Sequence, residues 1–460
     1  MSGESARVSW LRQGLRDRAA LYSLGNTVRS VICGPLTAYF IATRLTKDIQ
    51  GYYYTFGSLL GLQVFAELGL GAVITQFASH EWAGLSLRDG KVEGAASNHS
   101  RLAGLLRFSL RWYVWASLGV LLPLAGFGLY FFQSEHGADV SWKGPWLGLC
   151  VLAALRLILT PAFALLDGCG QVVSTYGFRL LDGLTSVVST WVAILLGFNL
   201  WTAAFVTLNS LVVALLFLGL RYRRFFSGLM ASEIREKIHW REEVLPMQWR
   251  IALSWLSGYF AFQLFTPVLF RYRGPREAGQ FGLTWNMVCS INSIGAAFQQ
   301  TKAPTFGTLV AKRNFAELDR RVYHAMGLAI LGTAAAALAL LGLLQVLTAF
   351  YPSIAERCLS VGPTAILLAA TVLMQISYAQ SGYLRAFKRE PFLLLSLLSG
   401  AVIGVLTWLL GREYGAAGVV WGYLAAVVFL ALPMGTWIFF RRRREWVAVA
   451  SAESNQIDRI

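Results

Sequence analysis

The sequence predicts an all-α polytopic membrane protein with about twelve transmembrane helices. Of its 460 residues, 56% are hydrophobic and only 14% are charged, whereas a soluble domain carries about a quarter charged residues. The apolar residues are gathered into runs of about 20, the length that crosses about 30 Å of hydrocarbon. Such runs must be helical because lipid offers no hydrogen-bond partner to a free peptide group. Alternating segments of about ten residues, which mark an outer-membrane barrel, are absent from the sequence.

Twelve apolar spans follow one another along the chain. Span 2 is long for a simple crossing, so we expect it to tilt or to project into water. The segment 221–247 is the one long polar interruption, and its mixture of Arg and Glu favours an amphipathic helix on the membrane surface. The spans are placed at 20–43, 52–79, 103–132, 145–167, 174–197, 200–220, 249–270, 278–303, 324–349, 360–383, 391–410 and 416–440.

The distribution of Lys and Arg sets the predicted orientation. With the N-terminus in the cytoplasm, the cytoplasmic segments up to Arg444 hold 24 Lys and Arg residues and the opposite loops hold 8. This asymmetry obeys the positive-inside rule, and an even number of spans returns the C-terminus to the cytoplasm. The net charge of +16 is therefore a topology signal, and we expect no nucleic-acid partner.

The two halves of the chain are similar when the first is shifted by 229 residues. Apolar composition alone does not produce the charged matches, although chance similarity between apolar helices is the alternative explanation. Each half begins on the same side, so the repeat is parallel. We predict an N-terminal six-helix lobe at 1–222, an amphipathic linker at 223–247, a C-terminal six-helix lobe at 248–445 and a tail at 446–460. The matched pairs are Arg44 with Arg273, Lys47 with Arg276, Asp48 with Glu277, Tyr52 with Phe281, Thr55 with Thr284 and Phe56 with Trp285.

Four segments carry a resemblance to a known family. LTKDIQGYYYTF at 45–56 and AELGLGAVITQ at 66–76 resemble the first loop and second helix of the polysaccharide flippases, which belong to the multidrug/oligosaccharidyl-lipid/polysaccharide exporter superfamily. GPREAGQFG at 274–282 resembles the same loop in the second lobe, and GAAGVVWG at 415–422 resembles the start of the last helix. The resemblance covers nearly the whole chain, and its motifs are diffuse.

The resemblance implies a pair of lobes arranged as a V around a central lumen that spans 1, 2, 7 and 8 line. It also implies a substrate, an undecaprenyl-diphosphate-linked oligosaccharide of the O-antigen or exopolysaccharide type. The substrate would be flipped across the bacterial cytoplasmic (inner) membrane by alternating access, driven by an H⁺ or Na⁺ gradient, and a glycan polymerase is an expected partner in lipopolysaccharide synthesis. Twelve spans argue against the fourteen-span branch that flips the peptidoglycan precursor. No cofactor is expected.

Arg29 is the strongest candidate for contact with an anionic substrate. It lies about 13 Å into span 1, too deep for its charge to reach water easily. A guanidinium binds phosphate through two parallel hydrogen bonds and stays charged. The alternative is an internal ion pair with Glu67. Arg250 and Lys302, near the cytoplasmic ends of spans 7 and 8, either meet the substrate or extend to the membrane surface.

Other charged residues within or at the ends of spans have more ordinary interpretations. Arg107, Arg111 and Arg179 are interfacial, and Arg156 pairs with an acid. For Arg179 the alternative is a pair with Asp182 on one helix face. Asp167 is the remaining acid of this set.

Glu67 lies in the middle of span 2 and is the candidate for ion coupling, with the salt bridge to Arg29 as the alternative. Pro35 and Pro267 fall at similar places in spans 1 and 7, where each removes a helical hydrogen bond and bends its helix. They are either hinges or static kinks. Several amides either bind sugar hydroxyls or join helices. They are Asn26, Asn286, Asn292, Gln299 and Gln300.

Two rival functions remain. A drug/cation antiporter of the same superfamily should carry an acid rather than Arg29 deep in its first lobe. A membrane glycosyltransferase or polymerase needs a sizeable external domain or a metal-binding acidic motif. The longest external loop spans only about 133–144, and no Asp-x-Asp occurs. No Cys-x-x-Cys or zinc-like Cys/His spacing occurs either. We therefore predict a transporter, with no catalytic or metal-ligating residues.

Overall fold

The computed structural model describes residues 18–133, 140–233, 245–387 and 391–457. These residues form helices with short connections and one β-hairpin. The chain divides into two compact units. The first comprises the residues up to 29 together with 44–259, and the second comprises 30–43 together with 260–460. The predicted linker at 223–247 thus falls within the first unit. An all-α polytopic architecture agrees with the sequence prediction.

The first unit is built mainly from long helices. Helix α1 runs through Pro35 without interruption and contributes residues to both units. The elements are α1 (Arg18–Arg44), α2 (Lys47–Leu60), a 3₁₀ turn (Gly61–Gln63), α3 (Val64–Glu67), α4 (Leu70–Trp82), β1 (Leu85–Arg88), β2 (Lys91–Gly94), α5 (Ala96–Phe132), α6 (Lys143–Ile158), α7 (Thr160–Gly168), α8 (Val172–Leu195), α9 (Trp201–Arg221), α10 (Arg223–Ala231) and α11 (Leu245–Phe262).

Span 2 is broken near its middle. Two consecutive residues, Leu68 with φ 44° and Gly69 with φ 68°, adopt the left-handed conformation between α3 and α4. A non-glycine residue rarely adopts this conformation, and it ends a helix because the next peptide group turns away from the axis. The segments on either side are bent by 44° relative to one another. A break therefore accounts for the unusual length of this span.

The β-hairpin lies between α4 and α5 and packs beside α10. Asp89 and Gly90 both have positive φ at its turn, as the tightest two-residue hairpin turns require. Helix α10 buries Phe225 and Leu229 and leaves Arg223 exposed, so it is amphipathic as predicted for the start of the linker. The rest of the predicted linker helix, at 234–244, lies outside the described residues.

The second unit repeats the pattern of long helices. Gly415, with φ 63°, interrupts the first of its last two long helices, and a π-helical turn at 427–431 joins the pair. The elements are α12 (Phe265–Arg273), α13 (Pro275–Gln300), α14 (Ala303–Ala311), α15 (Phe315–Phe350), α16 (Pro352–Ala355), α17 (Val361–Arg385), α18 (Leu393–Ala426) and α19 (Leu432–Ile457).

Helices lie at all twelve predicted spans, but their composition differs. Within the described residues, seven helices are long and apolar enough to cross a membrane, and the bent pair of span 2 makes eight. One of the seven is the stretch Leu393–Trp446, which covers predicted spans 11 and 12. The helices of spans 1, 7 and 8 are not among these candidates, because they carry more polar residues or are broken.

The predicted repeat coincides with matching local contacts in the two units. Thr55 donates a hydrogen bond to the carbonyl of Gly51 at 2.7 Å, and Thr284 donates to that of Gln280 at 2.9 Å. These residues are also related by 229 positions. Both threonines are fully buried, and each is followed by an aromatic residue, Phe56 or Trp285, that packs on another ring. These local features are alike at the positions that the predicted repeat pairs.

Candidate functional site

The Arg29 guanidinium is held inside the first unit by two specific contacts. Its Nε donates to the Oδ1 of Asn26 at 3.0 Å, one helical turn earlier. Its Nη1 donates to the main-chain carbonyl of Gly183, on α8, at 3.4 Å. Asn26 and Arg29, both predicted as substrate-binding residues, are therefore joined to one another. Since Arg29 lies near the middle of a 27-residue helix, its charge is well away from both helix ends.

Gly183 leaves the space that this guanidinium occupies. A Cβ built on Gly183 would lie 2.7 Å from the Nε of Arg29 and 3.2 Å from the Oδ1 of Asn26. Real Cβ atoms do not approach so closely, so any side chain at position 183 would displace Arg29. A glycine in the interior of a helix is unfavourable by about 0.5–1 kcal/mol relative to alanine. The close approach of Arg29 is the structural reason for a glycine here.

A second cation, Arg156, is the centre of an adjacent charge cluster. Its Nη2 lies 3.8 Å from the Oδ2 of Asp182, and its Nε donates to the hydroxyl of Ser210 at 3.2 Å. Its guanidinium carbon lies 5.4 Å from the ring centre of Phe163 and 6.0 Å from that of Phe178. Aromatic faces attract a cation and exclude water from it. Arg156 is therefore stabilised by an acid, a hydroxyl and two rings together.

Asp182 retains an acceptor atom inside this cluster. Its Oδ1 is buried, and none of the residues that the structure describes bonds to it. A buried acceptor without a donor costs about 1–3 kcal/mol, so this oxygen is a natural place for a proton, a cation or a substrate hydroxyl. Glu67 is half-buried and within electrostatic reach of Arg156 and of the fully buried Tyr113.

The four charged residues of this cluster lie well inside predicted spans. Arg29 and Asp182 fall near the middle of α1 and α8, Glu67 lies at the break in span 2, and Arg156 lies near the middle of the apolar stretch Lys143–Gly168. Asp182 is followed directly by Gly183, so α8 presents a carboxylate to one arginine and a carbonyl to the other. The cluster holds two positive and two negative charges inside one unit. We call it the mid-membrane charge cluster.

The contacts in and beside this cluster bear on two ion pairs that the sequence left as alternatives, Arg29 with Glu67 and Arg179 with Asp182. The positive charge of Arg156 exerts an electrostatic attraction on Glu67. The hydrogen bonds described for Arg29 are with Asn26 and Gly183. Arg179 pairs with Asp167 at 2.5 Å and not with Asp182. The physical reason for the second pairing is the short turn between α7 and α8, which brings Asp167 beside Arg179. The expected pairing of Arg156 with an acid is observed.

Amides in the second unit join helices. The Nε2 of Gln375, on α17, donates to the Oδ1 of Asn292 at 2.8 Å, and Gln299 donates to the main-chain oxygen of Gln375 at 3.2 Å. Gln375 is completely buried. These contacts favour the interpretation of Asn292 and Gln299 as links between helices. Sequence analysis missed Gln375, because a single glutamine within an apolar span carries no pattern.

The remaining candidates are placed less specifically. Asn286 is exposed on α13, and Lys302 lies in the break between α13 and α14. The side chains of Arg250 and Gln300 lie outside the described residues. Pro267 stands in the first turn of α12, just after the break in span 7. A missing N–H is tolerated there because first-turn amides have no partner within the helix. Pro35 lies in the interior of α1.

The fold was compared with those of known proteins. No family model and no curated protein sequence matches the chain. Solved structures do match in fold. An inward-facing multidrug resistance MATE family transporter of the MOP superfamily has a TM-score of 0.62 and 17% identity, covering 91% of this chain and 99% of that one.

Two further solved structures share this fold. A MOP superfamily transporter from Pyrococcus furiosus, described as having a binding pocket of reversed polarity, has a TM-score of 0.61 and 14% identity over 94% of this chain and 95% of its own. The lipid II flippase MurJ, in an inward closed conformation, has a TM-score of 0.57 and 13% identity over 92% of this chain and 87% of its own. The chain therefore has the fold of these membrane transporters.

Proposed function

We propose that this protein is a flippase for an undecaprenyl-diphosphate-linked oligosaccharide, such as an O-antigen or exopolysaccharide repeat unit. The observation that carries the proposal is the Arg29 guanidinium, held in the middle of a membrane helix by Asn26 and the Gly183 carbonyl. One side-chain acceptor and one main-chain acceptor orient the guanidinium. Such a group suits a diphosphate, which offers several charged acceptors and must be shielded from hydrocarbon.

The composition of individual helices supports a polar pathway. The helices of spans 1, 7 and 8 are not among the strongly apolar ones, and span 2 is broken. These are the four spans that the resemblance to polysaccharide flippases assigns to the lumen. Lipid-facing helices gain nothing from polar side chains, whereas helices that face a hydrated passage do. The proposed mechanism is alternating access across the bacterial inner membrane, with both termini in the cytoplasm.

Ion coupling is assigned to the carboxylates of the mid-membrane charge cluster. Glu67 and Asp182 share the field of one cation, Arg156. Binding of H⁺ or Na⁺ to either carboxylate would weaken its hold on Arg156 and shift the balance between two conformations. The flipped repeat unit would then be available to a glycan polymerase on the periplasmic side.

Substitution of Arg29 tests the proposal. Arg29→Ala should reach the membrane and lose glycan export, because a charge-assisted hydrogen bond contributes about 1.5–3 kcal/mol and the loss of two weakens binding by well over tenfold. Arg29→Lys should restore only part of the export, because an ammonium keeps the charge without the planar fork. Arg29→Glu should be worse than Arg29→Ala.

The measurement is glycan export in cells that lack the native gene, at matched membrane levels. Arg88→Ala is the matched control, because Arg88 is an exposed arginine of the hairpin in the same unit. Full export by Arg29→Glu would rule out an anionic substrate at this position.

A drug/cation antiporter is the second candidate, and the unpartnered Oδ1 of Asp182 favours it. A cationic drug would bind that oxygen and the nearby Glu67. Proteoliposomes loaded with a lipophilic cationic dye distinguish the two candidates. Gradient-driven dye efflux that Asp182→Asn abolishes and Arg29→Ala leaves intact would favour the antiporter. The reverse dependence in glycan export would favour the flippase.

A further inference from the structure

Helix α19 continues past the predicted end of the last span with one face packed on the second unit. Phe439 on this face is 3% exposed. One turn later the Nε of Arg443 donates to the Oδ1 of Asp319, on α15, at 3.2 Å. The ring of Trp446 then lies 5.4 Å from that of Phe387. Residues three and four positions apart share one side of a helix, so these three residues of α19 fix its inner face to the unit.

The opposite side of this helix carries exposed aromatic and cationic residues. Trp437 is 57% exposed and Phe440 is 45% exposed. The guanidinium carbon of Arg441 lies 5.3 Å from the ring centre of Trp437, one turn earlier. Arg444, three positions further on, is also exposed. We call these four residues the outer face of α19, and we propose that they bind the headgroup of an anionic phospholipid of the phosphatidylglycerol type.

The place of the outer face along the chain puts it at a membrane surface. The predicted last span ends at residue 440, and four consecutive arginines follow it at 441–444. Exposed tryptophan is enriched where lipid chains meet headgroups, and a cluster of arginines next to a membrane helix attracts anionic lipids. In the proposed topology this is the cytoplasmic surface. A bound lipid would therefore cover the exposed rings with its chains and meet the arginines with its phosphate.

The arginines of this segment outnumber the acids that meet them. Glu445 accepts a hydrogen bond from the Nε of Arg441 at 3.1 Å and another from the Nη1 of Arg442 at 2.8 Å. A guanidinium has five N–H donors, so Arg441 can bind a further acceptor. None of the described acids pairs with Arg444. The four arginines meet two described acids, which leaves two positive charges for an anionic ligand.

Arg441 and Arg444 have the spacing to hold one phosphate together. Three residues of helix rise by about 4.5 Å, and side chains at this spacing are neighbours on the helix surface. A phosphate forms short, charge-assisted hydrogen bonds with guanidinium groups. The ring of Trp437 attracts the Arg441 guanidinium, so less freedom is lost when the headgroup binds.

The chemistry of the outer face also selects among possible ligands. A zwitterionic headgroup brings an ammonium, which the two arginines repel, whereas a glycerol headgroup brings none. An acidic protein segment would satisfy the arginines but would give no reason for large exposed rings at the end of a membrane span. An anionic phospholipid satisfies the cations and covers the rings of Trp437 and Phe440 together.

Native mass spectrometry of the delipidated full-length protein tests the proposal. Phosphatidylglycerol, phosphatidylethanolamine and undecaprenyl phosphate are titrated separately, and inorganic phosphate is added as a competitor. We expect phosphatidylglycerol to bind most tightly and Arg441→Gln/Arg444→Gln to weaken its binding at least about tenfold. Lys312→Gln/Arg320→Gln removes the same charge from exposed positions of the same unit and should bind as the wild type does.

Glu445→Gln gives a test that misfolding cannot imitate. It removes the acid that competes for Arg441, so it should tighten phosphatidylglycerol binding by about two- to fivefold, as expected for the loss of an exposed ion pair. Unchanged or weaker binding by Glu445→Gln would contradict the role of Arg441. Equal affinities of the two double variants would show that no lipid phosphate binds at the outer face.

The other ligands decide the assignment of the headgroup. Equal binding of phosphatidylglycerol and phosphatidylethanolamine by the wild type would overturn the preference for an anionic lipid. Displacement of phosphatidylglycerol by inorganic phosphate would assign the arginines to a free anion. Tighter binding of undecaprenyl phosphate that depends on Arg441 and Arg444 would assign the outer face to the isoprenoid carrier and overturn the proposal.

Discussion

The Arg29 guanidinium lies against the backbone of Gly183, and its Nη1 donates to the Gly183 carbonyl at 3.4 Å. Gly183 has no side chain, and the long side chain of Arg29 occupies the space beside it. A larger residue at position 183 would therefore displace the Arg29 guanidinium. Asp182, the preceding residue on the same helix, faces the second arginine of the cluster. A single turn of α8 thus sets the positions of two intramembrane cations.

Gly183→Ala should displace Arg29 while leaving the fold intact. The added Cβ would lie 2.7 Å from the Nε of Arg29, and the flexible end of that side chain can move. We expect glycan export to fall to a level near that of Arg29→Ala. Gly219→Ala, in a helix of the same unit where a Cβ would meet no atom within 4 Å, should export normally. Undiminished export by Gly183→Ala would show that the precise position of Arg29 is unimportant.

Arg156 and Asp182 should be energetically coupled. Removing Arg156 leaves Asp182 without its cation, and breaking one partner of a partly buried pair is more destabilising than replacing both. We expect Arg156→Leu to lower the unfolding temperature in detergent more than the double variant Arg156→Leu/Asp182→Asn does. A double-mutant cycle should give a coupling of about 0.5–3 kcal/mol. Strictly additive effects of the two substitutions would contradict the observed pairing.

Glu67→Gln should uncouple transport from the ion gradient. The amide keeps the size and the hydrogen-bonding capacity of the side chain but cannot bind a proton or carry a charge. We expect gradient-driven flipping to be lost while binding of the lipid-linked substrate is retained, as measured in proteoliposomes with an imposed gradient. Glu93→Gln, at an exposed position of the hairpin, is the control. Parallel loss of folding and binding would instead assign Glu67 a structural role beside Arg156.

Gly295→Ala should disrupt the amide network of the second unit. A Cβ at Gly295 would lie 2.3 Å from the Oε1 of Gln375 and 2.6 Å from the Oγ1 of Thr333. Overpacking of this kind costs about 1–3 kcal/mol, so the variant should melt at a lower temperature than the wild type. Gly327→Ala, where a Cβ meets nothing within 4 Å, should melt as the wild type does. Equal melting temperatures for the two variants would mean that the buried amides rearrange freely.

The proposed topology can be checked at two exposed turns. One variant carries a single cysteine in place of Asp89, in the hairpin, and another carries it in place of Asn199, between α8 and α9. These two positions lie at opposite ends of the first unit. In intact cells, a membrane-impermeant thiol reagent should label the cysteine at position 199 and leave the one at position 89 unlabelled. The background is a variant in which all five native cysteines are replaced. The opposite labelling pattern would invert the orientation inferred from Lys and Arg.

Sequence reasoning located the helices because apolar runs of membrane length carry a strong signal. It also singled out Arg29 as a candidate, because a charge deep in such a run is conspicuous. It did not predict that the charge of Arg156 would act on Glu67, since that depends on how separate helices pack. The sequence also did not reveal that Gly183 leaves space for Arg29. A glycine that makes a specific contact in an apolar helix looks the same in sequence as one that makes none. Contacts between distant segments were the part that sequence could not supply.

The break in span 2 also has an electrostatic consequence. A continuous helix concentrates the partial charges of its peptide dipoles at its two ends, near the membrane surfaces. By ending one helical segment at Glu67 and starting another at Leu70, the chain places a partial negative and a partial positive pole in the bilayer interior. This permanent dipole pair belongs to the backbone, so Glu67→Gln removes the ionisable group and leaves the local field of the break in place.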